Sequence, residues 1–403
     1  MAVALTTQTQ RADKFNQMIL GSLKYWQDWL ETKIANVAVV DRERDKIVKS
    51  ISFALDLDAA WPVARELIIT FSPYMERRGY WDTWNWVLSR SIKAAHRLGD
   101  AEGAATLSAL FARLLRRQSR FRESIAYYRR AIRMSRQMGD HFNEARACTN
   151  LGYYYIDQGY WHRAEVLCCH ALTLFEQLDN NHGRAHTENH LGFLYTQQCL
   201  WDKAQRHLEQ ACAIWESMAD KYGLMYGYMN LGKLYYDLER ANDALAYEEQ
   251  ALVLAELTGD EDSKGIICMN IGIIHTKLTG NVATAETYLL QAETIFRHNS
   301  DARWLAQAQE YLGVLYTARQ NWPEALSRLK TALAAWRSLC FKYNEIRTVI
   351  HLAEYALLKQ NRSQAKAWLR QAASLLDQYD ATKRYCQLHH QLEKVNKRFL
   401  PTI

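Results

Sequence analysis

Residues 149–180, TNLGYYYIDQGYWHRAEVLCCHALTLFEQLDN, and residues 188–220, ENHLGFLYTQQCLWDKAQRHLEQACAIWESMAD, carry one skeleton. A Leu-Gly pair is followed by tyrosine, then tryptophan, then an alanine, then a second alanine seven residues on. The pair recurs as Leu151-Gly152, Leu191-Gly192, Leu231-Gly232, Ile271-Gly272 and Leu312-Gly313, and Leu352-Ala353 continues it, in steps of forty residues with a single step of forty-one. Two alanine registers agree: Ala164, Ala204, Ala244, Ala285, Ala325 and Ala365, and Ala131, Ala171, Ala211, Ala251, Ala292, Ala332 and Ala372. All three registers share one inserted residue, which the sequence places near Gly280-Asn281.

Each register has a physical reason. Glycine or alanine at the pair lets two helices approach closely, and alanines seven apart lie on one face of the next helix, where its neighbour crosses. Tyr155, Tyr195, Tyr235 and Tyr316 fill the space beside the glycine, with His275 in the fifth unit. A ring opens the second helix at Trp81, Phe121, Trp161, Trp201 and Trp322. Between units stands Asp100, Asp140, Asn180, Asp220, Asp260 or Asp301, preceded in three cases by Gly99, Gly139 or Gly259. A left-handed glycine closes one helix there, and the Asp or Asn caps the next. Each unit reads helix, turn, helix, turn, and the chain reads as all-α.

Composition agrees. Glycine (17) and proline (4) are scarce in 403 residues, about 5% together against a typical ~12%, which argues against sandwiches, propellers, collagen and long disordered tails. No apolar run reaches the ~18 residues of a membrane span, and mean hydropathy is −0.36. The start, MAVALTTQTQR, lacks a basic segment followed by an apolar one, so a cytoplasmic address is expected. The net charge of +6 permits an acidic partner without demanding one. The eight cysteines contain no C-x-x-C and read as small buried hydrophobes of a reducing compartment.

The pattern L-G-x-x-Y followed by the paired alanines resembles the tetratricopeptide repeat, in the forty-residue form of kinesin light chains and related bacterial proteins. The resemblance implies a right-handed superhelical solenoid of antiparallel helix pairs. It divides the chain into an N-terminal helical cap (1–60), an array over 61–380 and a C-terminal capping helix (381–403). Within the array, 61–100 is degenerate and the further units are 101–140, 141–180, 181–220, 221–260, 261–301, 302–341 and 342–380. The run from Trp61 through Arg97, including ERRGYWDTWNWVLSRSIKAAHRLGD, is similar to the segment that opens the repeat array of bacterial signal-transducing NTPases. Because the G-x-x-x-x-G-K-[ST] loop of their motor does not occur, the resemblance implies a freestanding sensor or adaptor arm.

In stacked helix pairs the first helix lines the inner side, the default binding surface. Two residues before the glycine stand Asn150, His190, Asn230, Asn270, Tyr311 and His351. Asparagine offers a donor and an acceptor to an extended peptide backbone. In the kinesin-light-chain-like family asparagines at this position hold one, which nominates Asn150, Asn230 and Asn270. The same face carries Arg146, Tyr153, His186, Asn189, Phe193, Tyr226, Lys233 and Tyr236, with Arg113 and Arg116 one unit earlier and Ile266, Met269 and Ile273 at the far end. The expected groove runs from cationic through polar and aromatic to apolar, and its complement is a peptide or protein with an acidic segment. The reading is a non-enzymatic interaction adaptor, able to regulate a partner enzyme or transcription factor in trans.

Two other readings compete. Nine arginines lie between Arg113 and Arg136 with only Glu123 among them, which would suit a nucleic-acid-associated regulator. His182, His186 and His190 stand at i, i+4, i+8, and His186-Thr-Glu-Asn-His190 narrowly misses H-E-x-x-H because Glu188 sits one place late. We read these histidines as groove-lining polar residues and expect no metal and no cofactor. Nucleophile elbows and glycine-rich phosphate loops are missing from the sequence, so no catalytic residue is nominated.

Overall fold

The structure, a computed structural model, describes residues 2–34, 37–118, 120–299, 301–377 and 383–399. Every regular element among them is helical. Two long helices, α1 (Ala2–Lys33) and α2 (Val37–Ala54), and a 3-10 turn, Asp58–Ala60, precede the pairs. These are α3 (Trp61–Arg77) with α4 (Trp81–Arg97), α5 (Ala101–Arg117) with α6 (Phe121–Met138), α7 (His141–Asp157) with α8 (Trp161–Gln177) and α9 (Asn181–Gln197) with α10 (Trp201–Ser217). They continue as α11 (Lys221–Asp237) with α12 (Ala241–Thr258), α13 (Glu261–Ile274) with α14 (Val282–His298), α15 (Ala302–Ala318) with α16 (Trp322–Ser338) and α17 (Lys342–Leu358) with α18 (Arg362–Leu376). The described part of the C-terminal segment is α19 (Lys383–Phe399); 381–382 and 400–403 lie outside the described residues. No helix among the described residues is long and apolar enough to cross a membrane.

The turns follow from local chemistry. Asp100, Asp140, Asn180, Asp220 and Asp260 each accept the N–H three residues on, at 2.7–3.0 Å, and Asp301 accepts the N–H groups of Arg303 and Trp304 at 3.1 Å. Such a cap is worth about 1 kcal/mol. The left-handed closing residue is glycine at Gly79, Gly99, Gly139, Gly159, Gly259 and Gly280 but a side-chain-bearing residue at seven further turns, Asp179 and Cys199 among them. Tertiary packing therefore imposes that conformation even where composition does not favour it. The one inserted residue is housed earlier than the sequence suggested: α13 runs on into a π-helical turn, His275–Thr279, which is how a helix absorbs an extra residue without losing its hydrogen bonds.

The chain forms two compact units, residues 1–151 with 170–179, and residues 152–169 with 180–403. The first is organised around Leu23, Leu30, Ile47, Phe71, Trp84 and Leu107, all fully buried. In the second, Trp215 and Trp336 are fully buried and α13–α19 share one apolar cluster. The cysteines correct the sequence reading: Cys148, Cys168, Cys212 and Cys268 are core residues, whereas Cys169, Cys199 and Cys340 are exposed. Cys199 and Cys340 occupy left-handed turns between helices, which helical periodicity does not address. The Cys386 side chain lies outside the described ones.

Candidate functional site

In the first unit four of the nine arginines of the run are paired with carboxylates, of which Glu76 is remote in sequence. Glu76, 2% exposed, receives Arg113 through Nε at 2.7 Å and Nη2 at 2.9 Å, with Arg117 Nε at 3.7 Å. Arg120 pairs with Glu123 and Arg136 with Glu144. Arg146 lies over the Phe142 ring at 5.7 Å, and burial, then the Arg113 guanidinium, depress its pKa. Asn150 donates Nδ2–H to the carbonyl of Arg146 at 2.9 Å. Arg116 is half-buried on α5.

In the second unit the same register assembles an aromatic and polar face. Tyr153 stacks on His190 with centroids 4.7 Å apart and stands 6.2 Å from Phe193. Asn230 donates to Asn189 Oδ1 at 2.8 Å, linking α11 to α9. Lys233 pairs with Asp237 and lies 5.5 Å from the Tyr236 ring. Burial, then Tyr311 and Asp237, raise the pKa of the Tyr236 hydroxyl, and the Arg347 charge opposes them. Arg303 at the start of α15 lies 3.7 Å from Asp157 at the end of α7. Tyr226 is 41% exposed. Met269 and Ile273, expected along the groove, are core residues instead.

The histidines part company. His190 turns to Tyr153, while His186 meets His182 at 4.6 Å and the edge of Trp215 at 5.2 Å. The pair His186/His190 weighed in the sequence is therefore not a pair in space.

Asn270 donates to Glu248 Oε1 at 2.9 Å. Glu248, 1% exposed, occupies the position that carries leucine at Leu208, Leu289 and Leu329. Burial pushes its carboxyl well above the ordinary 4.5, and the Asn270 N–H offsets only part of this. A raised folded pKa means stability fully present below about 4.5 and lost as pH rises toward the folded value, at most ~1.4 kcal/mol per pH unit. Glu248→Gln, which keeps the shape and the Asn270 contact, is expected to remove this decline. Thermal unfolding at pH 5 and pH 8 should show the variant gaining on wild type at the higher pH; equal shifts for both proteins would refute the assignment.

The sequence reading stopped short of one feature. The register positions two before and one and four after the glycine, carried into the sixth and seventh units, are Tyr311, Val314, Thr317, His351, Glu354 and Leu357, all but Tyr311 lining one cavity. With Lys277, Arg362 and residues of α19 those five enclose a volume of about 680 Å³. Lys277, Arg362 and Arg398 bring cations to it, Glu354 one carboxylate, and Leu357, Leu358 and Val395 an apolar wall. Such a mixture suits a ligand with an apolar group and a carboxylate.

Tetratricopeptide-repeat family models match residues 106–141, 138–217 and 225–258. No curated protein sequence matches the chain. Among solved structures, the signal transduction ATPase with numerous domains from Pyrococcus horikoshii, which has a tetratricopeptide-repeat sensor, is similar at TM-score 0.57 and 15% identity, over 82% of this chain and 49% of that one. A Rap protein complexed with competence and sporulation factor is similar at TM-score 0.57 and 13% identity, over 83% of this chain and 98% of that one. Aspartyl phosphate phosphatase F from Bacillus subtilis is similar at TM-score 0.57 and 13% identity, over 89% and 93%. At these identities the structures speak for the fold, and the three matches identify tetratricopeptide repeats within residues 106–258 of this chain.

Proposed function

We propose that this chain is a non-catalytic scaffold that binds a peptide or protein segment along the inner face of its second unit, with one end of that segment in the 680 Å³ cavity beside α15, α17 and α19. The cavity carries the reading, because five of its lining residues, Val314, Thr317, His351, Glu354 and Leu357, stand at register positions expected to face inward. Tyr153, His190 and Phe193 supply aromatic surface, and the half-buried Asn230 and Lys233 supply hydrogen bonds. That the similar Rap protein is complexed with competence and sporulation factor supports a binding role for this fold. A cavity with three cations and one carboxylate favours an acidic group at the segment's end.

The test is capture from the native host with identification by mass spectrometry. Wild type is compared with Leu358→Trp, which fills the cavity from a position 60% exposed, with Asn230→Ala, and with Val253→Trp, a 56% exposed control on α12. Loss of the partner by about tenfold or more in the first two and retention in the control is expected. A partner held equally by all four proteins would remove the inner face from consideration.

A further inference from the structure

His182 and His186 stand one turn apart at the start of α9, on one helix face. Asp220, which caps α11, faces them: its Oδ1 accepts the Gly223 N–H at 3.0 Å, and its Oδ2 lies 3.6 Å from His182 Nε2. One ligand atom from each of the three residues lies within 4.8 Å of the other two. At the same register the other units carry Glu102/Thr106, Phe142/Arg146, Tyr222/Tyr226, Asp262/Ile266, Arg303/Gln307 and Tyr343/Arg347, with no imidazole. The repeat thus supplies the acidic cap at many joints and the histidine pair at this one.

We propose that His182, His186 and Asp220 bind a divalent transition-metal ion of the zinc class, which fastens α9 to the start of α11. Two imidazoles and one carboxylate are ligands for zinc and its neighbours, not for magnesium or calcium, which take oxygen sets. Three protein ligands leave a fourth position for water, the pattern of an open zinc site. The His182 and His186 rings lie with their centroids 4.6 Å apart. Trp215 lies edge-on to the His186 ring and fixes its plane, the orienting task that outer groups perform at metal sites. Tetrahedral ligands on bonds of ~2.0–2.1 Å stand about 3.3 Å apart. The His182 side chain, 59% exposed, is free to turn and close the remaining distance. Asp220 needs no movement that breaks its cap, because the capping oxygen and the metal-facing oxygen are different atoms.

The test titrates zinc chloride into chelator-stripped full-length protein by calorimetry, with the bound ion counted by elemental mass spectrometry. One ion per chain is expected, with a rise in thermal stability that chelator reverses. His182→Ala, at an exposed position, should keep the fold and lose affinity by roughly 100-fold. Asp220→Asn keeps a capping oxygen and should also weaken binding. His190→Ala and the triple Cys169, Cys199, Cys340→Ser variant should bind as wild type does. The proposal is overturned by wild type taking up no stoichiometric zinc, by unchanged affinity in His182→Ala or Asp220→Asn, or by loss confined to the cysteine variant.

Discussion

Glu310→Gln is expected to destabilise the C-terminal repeats by about 3–5 kcal/mol at neutral pH, the cost of leaving a buried charge without its partner. Glu310 is fully buried on α15. Arg347 of α17 donates to it through Nε at 2.9 Å and Nη2 at 2.8 Å, the fully buried Trp336 donates its indole N–H at 3.1 Å, and His351 Nδ1 lies 3.1 Å from Oε1. Burial alone would raise the carboxyl's pKa. The Arg347 charge and its two donors, with His351, outweigh burial and hold the pKa down to about 2. A depressed folded pKa gives stability that is present above the ordinary 4.5 and lost as pH falls toward about 2. Wild type and Glu310→Gln should therefore differ most near neutrality and converge in acid. Because a repeat array unfolds in parts, the readout is hydrogen exchange across α15–α18 at pH 7 and pH 3. A second variant separates charge from volume: Glu310→Leu with Arg347→Met removes both charges and should recover most of the loss. Equal exchange in wild type and Glu310→Gln at pH 7 would show that the network is dispensable.

The network marks the limit of what the sequence discloses. The fold is legible because its determinants are local and repeated: the Gly or Ala register, the Asp caps and the rings opening each second helix all act within one unit or on the next. Even the forty-one-residue step is legible, although its structural form, the His275–Thr279 π-turn, lies a few residues before the place that spacing suggests. Ion pairs are different. Glu76 and Arg113, like Glu310 and Arg347, are 37 residues apart, and Asp157 meets Arg303 across 146. A charge run read along the chain therefore overstates the free charge of Arg113–Arg136. The histidines fail for the same reason: spacing along α9 offers two candidate pairs, and only the facing Asp220, from another helix, distinguishes them. The cavity was within reach, since the inner register continues unbroken to Leu357, but its wall from α19 has no repeat signature.

Gly192→Val is expected to cost about 3 kcal/mol, the upper end of ordinary overpacking, and the reason is close approach alone. Gly192 has no left-handed backbone to protect. A Cβ there would stand 2.5 Å from Leu208 Cγ, 2.6 Å from Cδ2 and 3.1 Å from the Leu208 backbone nitrogen. Leu208 is fully buried, and a backbone atom cannot give way, so α9 and α10 must separate. Gly192→Ala adds less volume and gains ~1 kcal/mol of helix propensity, so it should fall well below the valine variant. Gly139→Ala tests the opposite cause: nothing lies within 4 Å of its Cβ position, but its φ is +69°. That change should cost about 1–2 kcal/mol through the backbone, and no neighbouring substitution should relieve it. Leu208→Ala, costing about 2–5 kcal/mol by itself through the cavity it leaves, should relieve Gly192→Val. The double variant is then less destabilised than the sum of the single changes, by the coupling expected of residues in contact. Strict additivity would mean that the Leu-Gly register serves the helix backbone rather than the contact between helices. Coupling at Gly192 without coupling at Gly139 would identify close approach as the reason the forty-residue period is written in glycine.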